Sequence, residues 1–186
     1  MKELKIKARQ LLKTFKGDNY LFGIGVLDRL GELASPFGKK CLLITSLGDW
    51  NRPELERVLI SLKAAGVEVE GPVPSAGPNA PREDVIRLKE TVKRILPDSI
   101  VVIDGGSGID AAKAASVLAV LGGDVEDYFG VGKVTEKLRA EDKKLIPVVA
   151  VQTAASSAAQ SVSTRPAGPF VVQNSHCFPP ASTART

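Results

Sequence analysis

The 186-residue sequence is poor in side chains that build metal centres and disulfide networks, with one histidine and two cysteines. Cys41 within an apolar run and Cys177 near the C-terminus are too few to form a disulfide framework. No apolar run approaches the roughly 20 residues that a membrane-spanning helix needs, and no apolar signal segment begins the chain. These absences exclude a disulfide-stapled secreted domain and predict a cytoplasmic protein without a membrane partner.

The length and the 44% hydrophobic content predict one domain with a real core, or one domain followed by a tail. Strand and helix signals alternate from residue 20 to about 160, as is typical of a parallel α/β sheet with helices on both faces. Strands are predicted at 41–45, 67–69, 100–103 and 146–151, helices at about 53–65, 85–96 and 108–121, a loop at 71–81 and a polar connection over 122–145.

Positive charge is concentrated at the N-terminus, where residues 1–16 carry six Lys or Arg residues against Glu3, while the whole chain has a net charge of +4. A basic patch can bind nucleic acid, but the apolar residues here have the spacing of an amphipathic helix that docks one face. These residues are Leu4, Ala8, Leu11, Leu12 and Phe15. We therefore expect a packing helix and no nucleic-acid partner. An interaction module that uses this helix is the alternative, and its phosphate contacts would show a steep salt dependence.

The most informative segment is Ile100-Val-Val-Ile-Asp-Gly-Gly-Ser-Gly-Ile-Asp-Ala-Ala-Lys113. A buried parallel strand has such an apolar run. The glycine turn lets the backbone approach a ligand, and the N–H groups at the following helix start favour an anion. The segment therefore predicts a phosphate cradle and a bound nucleotide. The alternative is a glycine turn with a purely structural role, because short glycine motifs also occur without a ligand.

The same segment resembles the Gly-Gly-Gly-Ser-x-x-Asp-x-x-Lys signature of the iron-containing (group III) alcohol dehydrogenases, a superfamily shared with glycerol dehydrogenase and dehydroquinate synthase. Phe22-Gly-Ile-Gly25 resembles the Phe-Gly-x-Gly turn of the family, and Gly77-Pro-Asn79-Ala-Pro81 its Pro-Asn-Pro-Thr loop. Residues 146–160 resemble the strand that ends in Pro-Thr-Thr-Ala-Gly-Thr-Gly-Ser-Glu. The four segments occur in family order, so the chain resembles the Rossmann-like N-terminal cofactor domain of that family.

The resemblance implies hydride transfer between an alcohol or aldehyde and NAD or NADP. In the family, a separate helical domain holds Fe²⁺ or Zn²⁺ through an aspartate and three histidines, and the metal acts as a Lewis acid. This sequence offers one histidine, His176, so we predict no metal-binding residue, no catalytic residue and no Fe²⁺ or Zn²⁺ binding. We expect a truncated dinucleotide-binding domain that is not catalytically competent alone. The alternative is a non-catalytic nucleotide-binding or regulatory module.

The resemblance assigns the pyrophosphate to the backbone N–H groups of Gly105, Gly106 and Ser107 and to the Ser107 hydroxyl. It places Asp110 on the first helical turn, facing the nicotinamide. As an alternative, Asp110 is a helix-start carboxylate that the macrodipole stabilises. Lys113 lies three residues further on, and we expect it to pair with Asp110 rather than to contact a ligand.

Four more residues receive cofactor roles from the resemblance. Asn79 would cap the cofactor loop, although loop asparagines also form turns. Thr153 and Ser157 would donate hydroxyl groups, although they equally suit helix capping after a strand. Ser46 stands where NAD-preferring members tend to carry an aspartate that binds the ribose 2′-hydroxyl. Its uncharged side chain, with Arg52 nearby in the sequence, favours NADP.

Several positions depart from the family pattern. Asp104 replaces the first glycine of the signature and brings a negative charge close to the phosphates, which weakens binding unless the carboxylate turns away or is paired. In the last motif Gln152, Ser156, Ala158 and Gln160 replace a proline, two glycines and a glutamate. Because two glycines are replaced, the backbone of that loop has fewer allowed conformations, and its contacts with the cofactor are expected to differ from those of the family.

The composition changes near residue 165, which divides the chain into a dinucleotide-binding domain (1–164) and a tail (165–186). The tail carries two charges and four of the twelve prolines, so we expect it to be irregular or disordered. A truncation or a shifted reading frame after about Ser163 is one hypothesis for its origin. Without a helical domain, apolar surface around residues 149–157 would face water. We therefore expect a homo-oligomer formed through this surface, or cover by residues 165–186.

Overall fold

A computed structural model describes residues 20–23, 25–46, 48, 52–153 and 170–174, and six helical positions between residues 4 and 14. Six described strands form one parallel sheet in the order β1-β6-β5-β4-β2-β3. The strands are β1 (Tyr20–Gly23), β2 (Lys40–Thr45), β3 (Glu68–Pro74), β4 (Ser99–Asp104), β5 (Val148–Gln152) and β6 (Phe170–Asn174). The α-helices are α1 (Leu30–Ala34), α2 (Arg52–Ala64), α3 (Arg82–Ile95), α4 (Gly106–Leu121) and α5 (Lys133–Ala140), with 3₁₀ turns at Val26–Arg29, Ser35–Phe37 and Val125–Tyr128.

Helices cover both faces of the sheet, as the alternation of strand and helix signals predicts. The strand β4 lies between β5 and β2, and its apolar residues are buried on both sides. Ile100 and Val102 belong to a core that α3 and α4 complete, whereas Val101 and Ile103 belong to a core that α1 and α2 complete. This burial on two faces explains why the strand is a continuous apolar run rather than an alternating one.

On the second face, α1 and α2 approach so closely that a side chain at Gly31 has no space. The Gly31 N–H donates to Ser61 Oγ at 2.9 Å, and Ser61 Oγ donates to the Asp28 carbonyl at 2.9 Å. A Cβ atom at position 31 would lie 2.2 Å from the Ser61 carbonyl oxygen. The packing of these helices therefore depends on a glycine at this position.

Two segments differ from the sequence-based prediction. The predicted loop at 71–81 begins later, because β3 continues to Pro74. An edge strand tolerates proline, since it needs hydrogen bonds on one side only. The predicted polar connection contains the 3₁₀ turn at Val125–Tyr128 and the helix α5. The helix α5 spans only eight residues, too few for a clear helical period in the sequence.

The prediction of an irregular tail is wrong for residues 170–174, which form β6 between β1 and β5. The five residues Phe-Val-Val-Gln-Asn include β-branched and aromatic residues that suit a strand, but the run is short and isolated. For the first part of the apolar surface around residues 149–157, the structure agrees with the expected cover by residues 165–186 rather than with exposure to water. Val149 and Val151 are buried in the second core, and β6 covers the edge of β5.

At the N-terminus the described positions are helical, as the apolar spacing predicts. The expected docking is absent at two of the apolar positions, because Leu4 is 71% exposed and Leu11 is 70% exposed. Among the described helices none is both long and apolar enough to cross a membrane.

Candidate functional site

The carboxyl ends of four strands are tied together at one edge of the sheet. Thr45 Oγ1, at the end of β2, donates to the Ile103 carbonyl of β4 at 3.1 Å. The Thr153 N–H, just after β5, donates to the Asp104 carbonyl at 3.0 Å. The Ser75 N–H, just after β3, donates to the Thr45 carbonyl at 2.9 Å. This is the edge where open parallel sheets bind their ligands.

The glycine turn lies at the centre of this edge and leads into α4, a helix of 16 residues. The first N–H groups of an α-helix have no acceptor within the helix, and the helix dipole favours an anion beside them. Gly105 precedes the helix in extended conformation, and no described atom lies within 4 Å of where its Cβ would be. The turn therefore has an open side next to the first N–H groups of α4, which fits a phosphate group.

The structure brings together two residues that the sequence assigns to the cofactor, Ser107 and Asn79. The backbone N–H of Asn79 donates to Ser107 Oγ at 3.0 Å. A serine hydroxyl both accepts and donates. Because the Ser107 oxygen accepts from Asn79, its own proton is available to a second acceptor, such as a phosphate oxygen.

Asp104 does not turn away from the cradle. Its Oδ1 accepts the Gly105 N–H at 2.6 Å. A Cβ at Gly108 would lie 2.2 Å from Asp104 Oδ2 and 2.3 Å from the buried Ser75 Oγ. Gly108 thus gives the carboxylate room to stay beside the turn. The neutral N–H donor leaves the negative charge of the carboxylate in place.

The ion pair expected between Asp110 and Lys113 is present, with 3.7 Å between Oδ1 and Nζ. Partial burial lowers the pKa of the Lys113 ammonium, and the Asp110 carboxylate acts in the opposite direction. The Asp110 side chain is more than half exposed. Asp110 therefore has an accessible carboxylate, but the predicted first-turn position is wrong: the helix begins at Gly106, which places Asp110 at the start of its second turn. Lys113 is held against the protein.

The remaining predicted residues follow their strands at the same edge. Ser46 follows β2 and Thr153 follows β5, while Ser157 lies outside the described residues. Sequence reasoning assigned no role to Thr45 or Ser75. A polar residue ending the apolar run of β2 was an available signal for Thr45, whereas nothing local marks Ser75.

The described residues contain no group of three or more His, Cys, Asp or Glu side chains that could hold a metal ion. His176 lies outside the described part of the chain. The residues that the structure describes therefore do not form a site for the divalent metal that the resemblance implies.

The chain is similar to known proteins. The family model of iron-containing alcohol dehydrogenases matches residues 17–164. The chain is 31% identical over 144 residues to the NAD-dependent methanol dehydrogenase of Bacillus methanolicus, covering 77% of this chain and 36% of that protein. It is 33% identical over 131 residues to the NADPH-dependent butanol dehydrogenase of Clostridium saccharobutylicum, covering 68% of this chain and 32% of that protein.

Solved structures show the same fold. The crystal structure of a 1,3-propanediol oxidoreductase superposes with a TM-score of 0.69 at 27% sequence identity, covering 83% of this chain and 43% of that one. The chain thus spans about a third of the length of these two curated relatives.

Proposed function

The chain belongs to the iron-containing alcohol dehydrogenase family, and we propose that it binds NADP(H) or NAD(H) with the pyrophosphate at the N-terminus of α4. The observation that carries this proposal is the open glycine turn beside a Ser107 hydroxyl that Asn79 orients. Two similar proteins are named for their use of NAD and of NADPH, respectively. A nicotinamide cofactor would carry the hydride, and the protein supplies binding and orientation.

Most of the predicted residues have a place in this proposal. Gly106 and Ser107 would present N–H groups to the phosphates, against which α4 directs the positive end of its dipole. The predicted role of the Gly105 N–H conflicts with its hydrogen bond to Asp104 Oδ1. The exposed Asp110 carboxylate, one turn into the helix, would face the nicotinamide side. Thr153 would donate its hydroxyl from the end of β5. Ser157 keeps a predicted role that the described residues do not test.

We infer that the chain supplies the dinucleotide-binding part of an alcohol dehydrogenase reaction and is not catalytically competent alone. In this family a divalent metal would polarise the alcohol or carbonyl oxygen as a Lewis acid, and the described residues offer no metal donor set. Self-association through apolar surface around residues 149–157 stays a prediction, as does a cytoplasmic location. A non-catalytic nucleotide-binding module is the second candidate, because the Asp104 carboxylate in the glycine turn departs from the family signature.

The binding site is tested by a Gly105→Val variant. Valine suits the extended backbone at this position, and its side chain would enter the open space that we assign to the phosphate. Calorimetric titration up to millimolar dinucleotide should detect binding to the wild-type chain and none to the variant. Ala140→Val, at the exposed end of α5, is the matched control and should bind like the wild type. A wild-type chain that binds neither dinucleotide would contradict the proposal.

The preference between the two dinucleotides is tested at Ser46. We propose that the wild-type chain binds NADP⁺ more tightly than NAD⁺. Residue 46 is a serine, which has no negative charge to repel the 2′-phosphate of NADP⁺. Ser46→Asp should shift the ratio of the two Kd values toward NAD⁺ by about tenfold or more, since a charge-assisted contact of about 1.4 kcal/mol gives that factor. Ser46→Asn is the uncharged control. A tighter wild-type affinity for NAD⁺ would contradict this assignment.

A further inference from the structure

The loop between β3 and α3 holds two residues in the left-handed backbone region. Asn79 has φ of 63° and Ala80 has φ of 50°. Asparagine adopts this conformation readily, whereas for alanine it is unfavourable. Such a conformation persists only where the surrounding structure fixes it. Since Asn79 is the residue that contacts Ser107, whatever fixes the loop also fixes that contact.

Two charged residues from the start of α3 hold the loop. The Arg87 guanidinium donates to the carbonyl oxygens of Pro74 and Ser75, each at 2.9 Å, and to Asp84 Oδ1 at 2.8 Å. The other carboxylate oxygen of Asp84 accepts the Gly77 N–H at 2.9 Å. Together, Asp84 and Arg87 fix three successive parts of the chain just before Asn79. We call these two residues the loop clamp.

The chemistry of the clamp suits a fixed geometry. The Gly77 N–H, followed by Arg87, lowers the pKa of the Asp84 carboxyl group, so the carboxylate is ionised at neutral pH. The planar guanidinium presents several donors in fixed directions, which a lysine ammonium does not. Both side chains are partly exposed, at 39% for Arg87 and 27% for Asp84. Besides each other, the two side chains bind the carbonyl oxygens of Pro74 and Ser75 and the Gly77 N–H, so their contacts are concentrated on the loop.

We propose that Asp84 and Arg87 are positioning residues for dinucleotide binding, which place the Asn79 N–H on Ser107 Oγ and thereby direct the Ser107 hydroxyl proton to the phosphate. This inference rests on the proposed function. The clamp acts through the loop: Arg87 fixes residues 74 and 75, Asp84 fixes residue 77, and the Asn79 N–H completes the chain of contacts to Ser107.

The first test compares two arginines of the same helix. Arg94 is exposed in the last turn of α3 and away from the loop. Arg87→Met should raise the Kd for NADP⁺ by about tenfold, the factor for losing one well-oriented hydrogen bond to a charged group. Arg94→Met should leave the Kd within about twofold, and Arg87→Lys should recover part of the loss. Thermal unfolding of each variant checks that the fold is retained.

A double-mutant cycle separates positioning from a general structural effect. In a Ser107→Ala background the clamp has no hydroxyl to orient, so Arg87→Met should change the Kd by less than about twofold there. Equal effects of Arg87→Met in both backgrounds, or equal effects of Arg87→Met and Arg94→Met, would overturn the proposal.

An NMR measurement without cofactor distinguishes failure of the clamp from failure of the proposed function. The amide resonance of Asn79 should shift in Arg87→Met and in Ser107→Ala, and stay in place in Arg94→Met. An unchanged Asn79 resonance in Arg87→Met overturns the clamp even if NADP⁺ binds. A wild-type chain without dinucleotide affinity overturns the proposed function and the role of the clamp in binding, whereas the NMR shifts still report whether the clamp holds the loop.

Discussion

An Asp104→Gly variant should bind NADP(H) about 10- to 100-fold more tightly than the wild-type chain, because like charges a few ångströms apart repel by about 1–4 kcal/mol near a protein surface. In the wild-type chain the Asp104 carboxylate lies beside the glycine turn and accepts the Gly105 N–H. Its removal frees that donor and eliminates a negative charge next to the proposed phosphate position. Titration calorimetry at two salt concentrations measures the gain, which should be smaller at high salt.

A second variant of Asp104 separates the effect of its charge from that of its hydrogen bond, and a variant of Asp142 is the control. Asp104→Asn removes the charge and keeps an oxygen that can accept the Gly105 N–H, so it should recover only part of the affinity gained by Asp104→Gly. Asp142, which follows α5, is 38 positions from Asp104 in the sequence. Asp142→Asn makes the same chemical change there and should leave the Kd unchanged. An affinity of Asp104→Gly equal to or lower than that of the wild type would show that the carboxylate does not oppose the ligand.

A Gly31→Ala variant should lose about 2–4 kcal/mol of unfolding free energy, at the upper end of what overpacking causes. The new Cβ would lie 2.2 Å from the Ser61 carbonyl oxygen and 2.6 Å from the Ala65 Cβ. The first of these atoms is backbone, so a side-chain rotation cannot relieve the contact. The helices α1 and α2 must separate, which also lengthens the hydrogen bond from the Gly31 N–H to Ser61 Oγ. Urea denaturation followed by circular dichroism measures the loss.

Gly77→Ala provides the comparison for this prediction. A Cβ at Gly77 would meet its nearest neighbour, Asp84 Oδ2, at 3.6 Å, which is ordinary van der Waals contact. This variant should therefore unfold within about 1 kcal/mol of the wild type. If Gly31→Ala unfolds at the same urea concentration as Gly77→Ala, then α1 and α2 are not as closely packed as described.

The central part of the fold could be predicted because its signals are local. The apolar run of β4, the glycine turn and the alanine-rich α4 are continuous in sequence, and each has a pattern that determines its conformation. The Asp110–Lys113 ion pair follows in the same way from helical spacing. A contact that depends only on residues close together in the sequence can be predicted from the sequence alone.

The parts that escaped prediction depend on distant residues. The strand β6 pairs with β5 and β1, and a five-residue run in a proline-rich segment carries no local information about those distant partners. Asp104 was recognised as a departure, but its retention in the turn depends on the space at Gly108. The contact between Asn79 and Ser107 joins residues 28 positions apart. These features follow from the approach of elements in space, which no local period encodes.

The order of strands has a consequence for how the chain folds during synthesis. Among the described strands, β1 has β6 as its hydrogen-bonded neighbour, with Tyr20 opposite Val171. The ribosome releases the N-terminal residues first, at about 5–20 residues per second. Of the described strands, β1 is synthesised first, and it cannot join the sheet until β6 has also been synthesised. Closing this loop, which includes nearly the whole domain, comes late and slowly. Until then β5 presents an open edge that a chaperone, or another nascent chain, can contact.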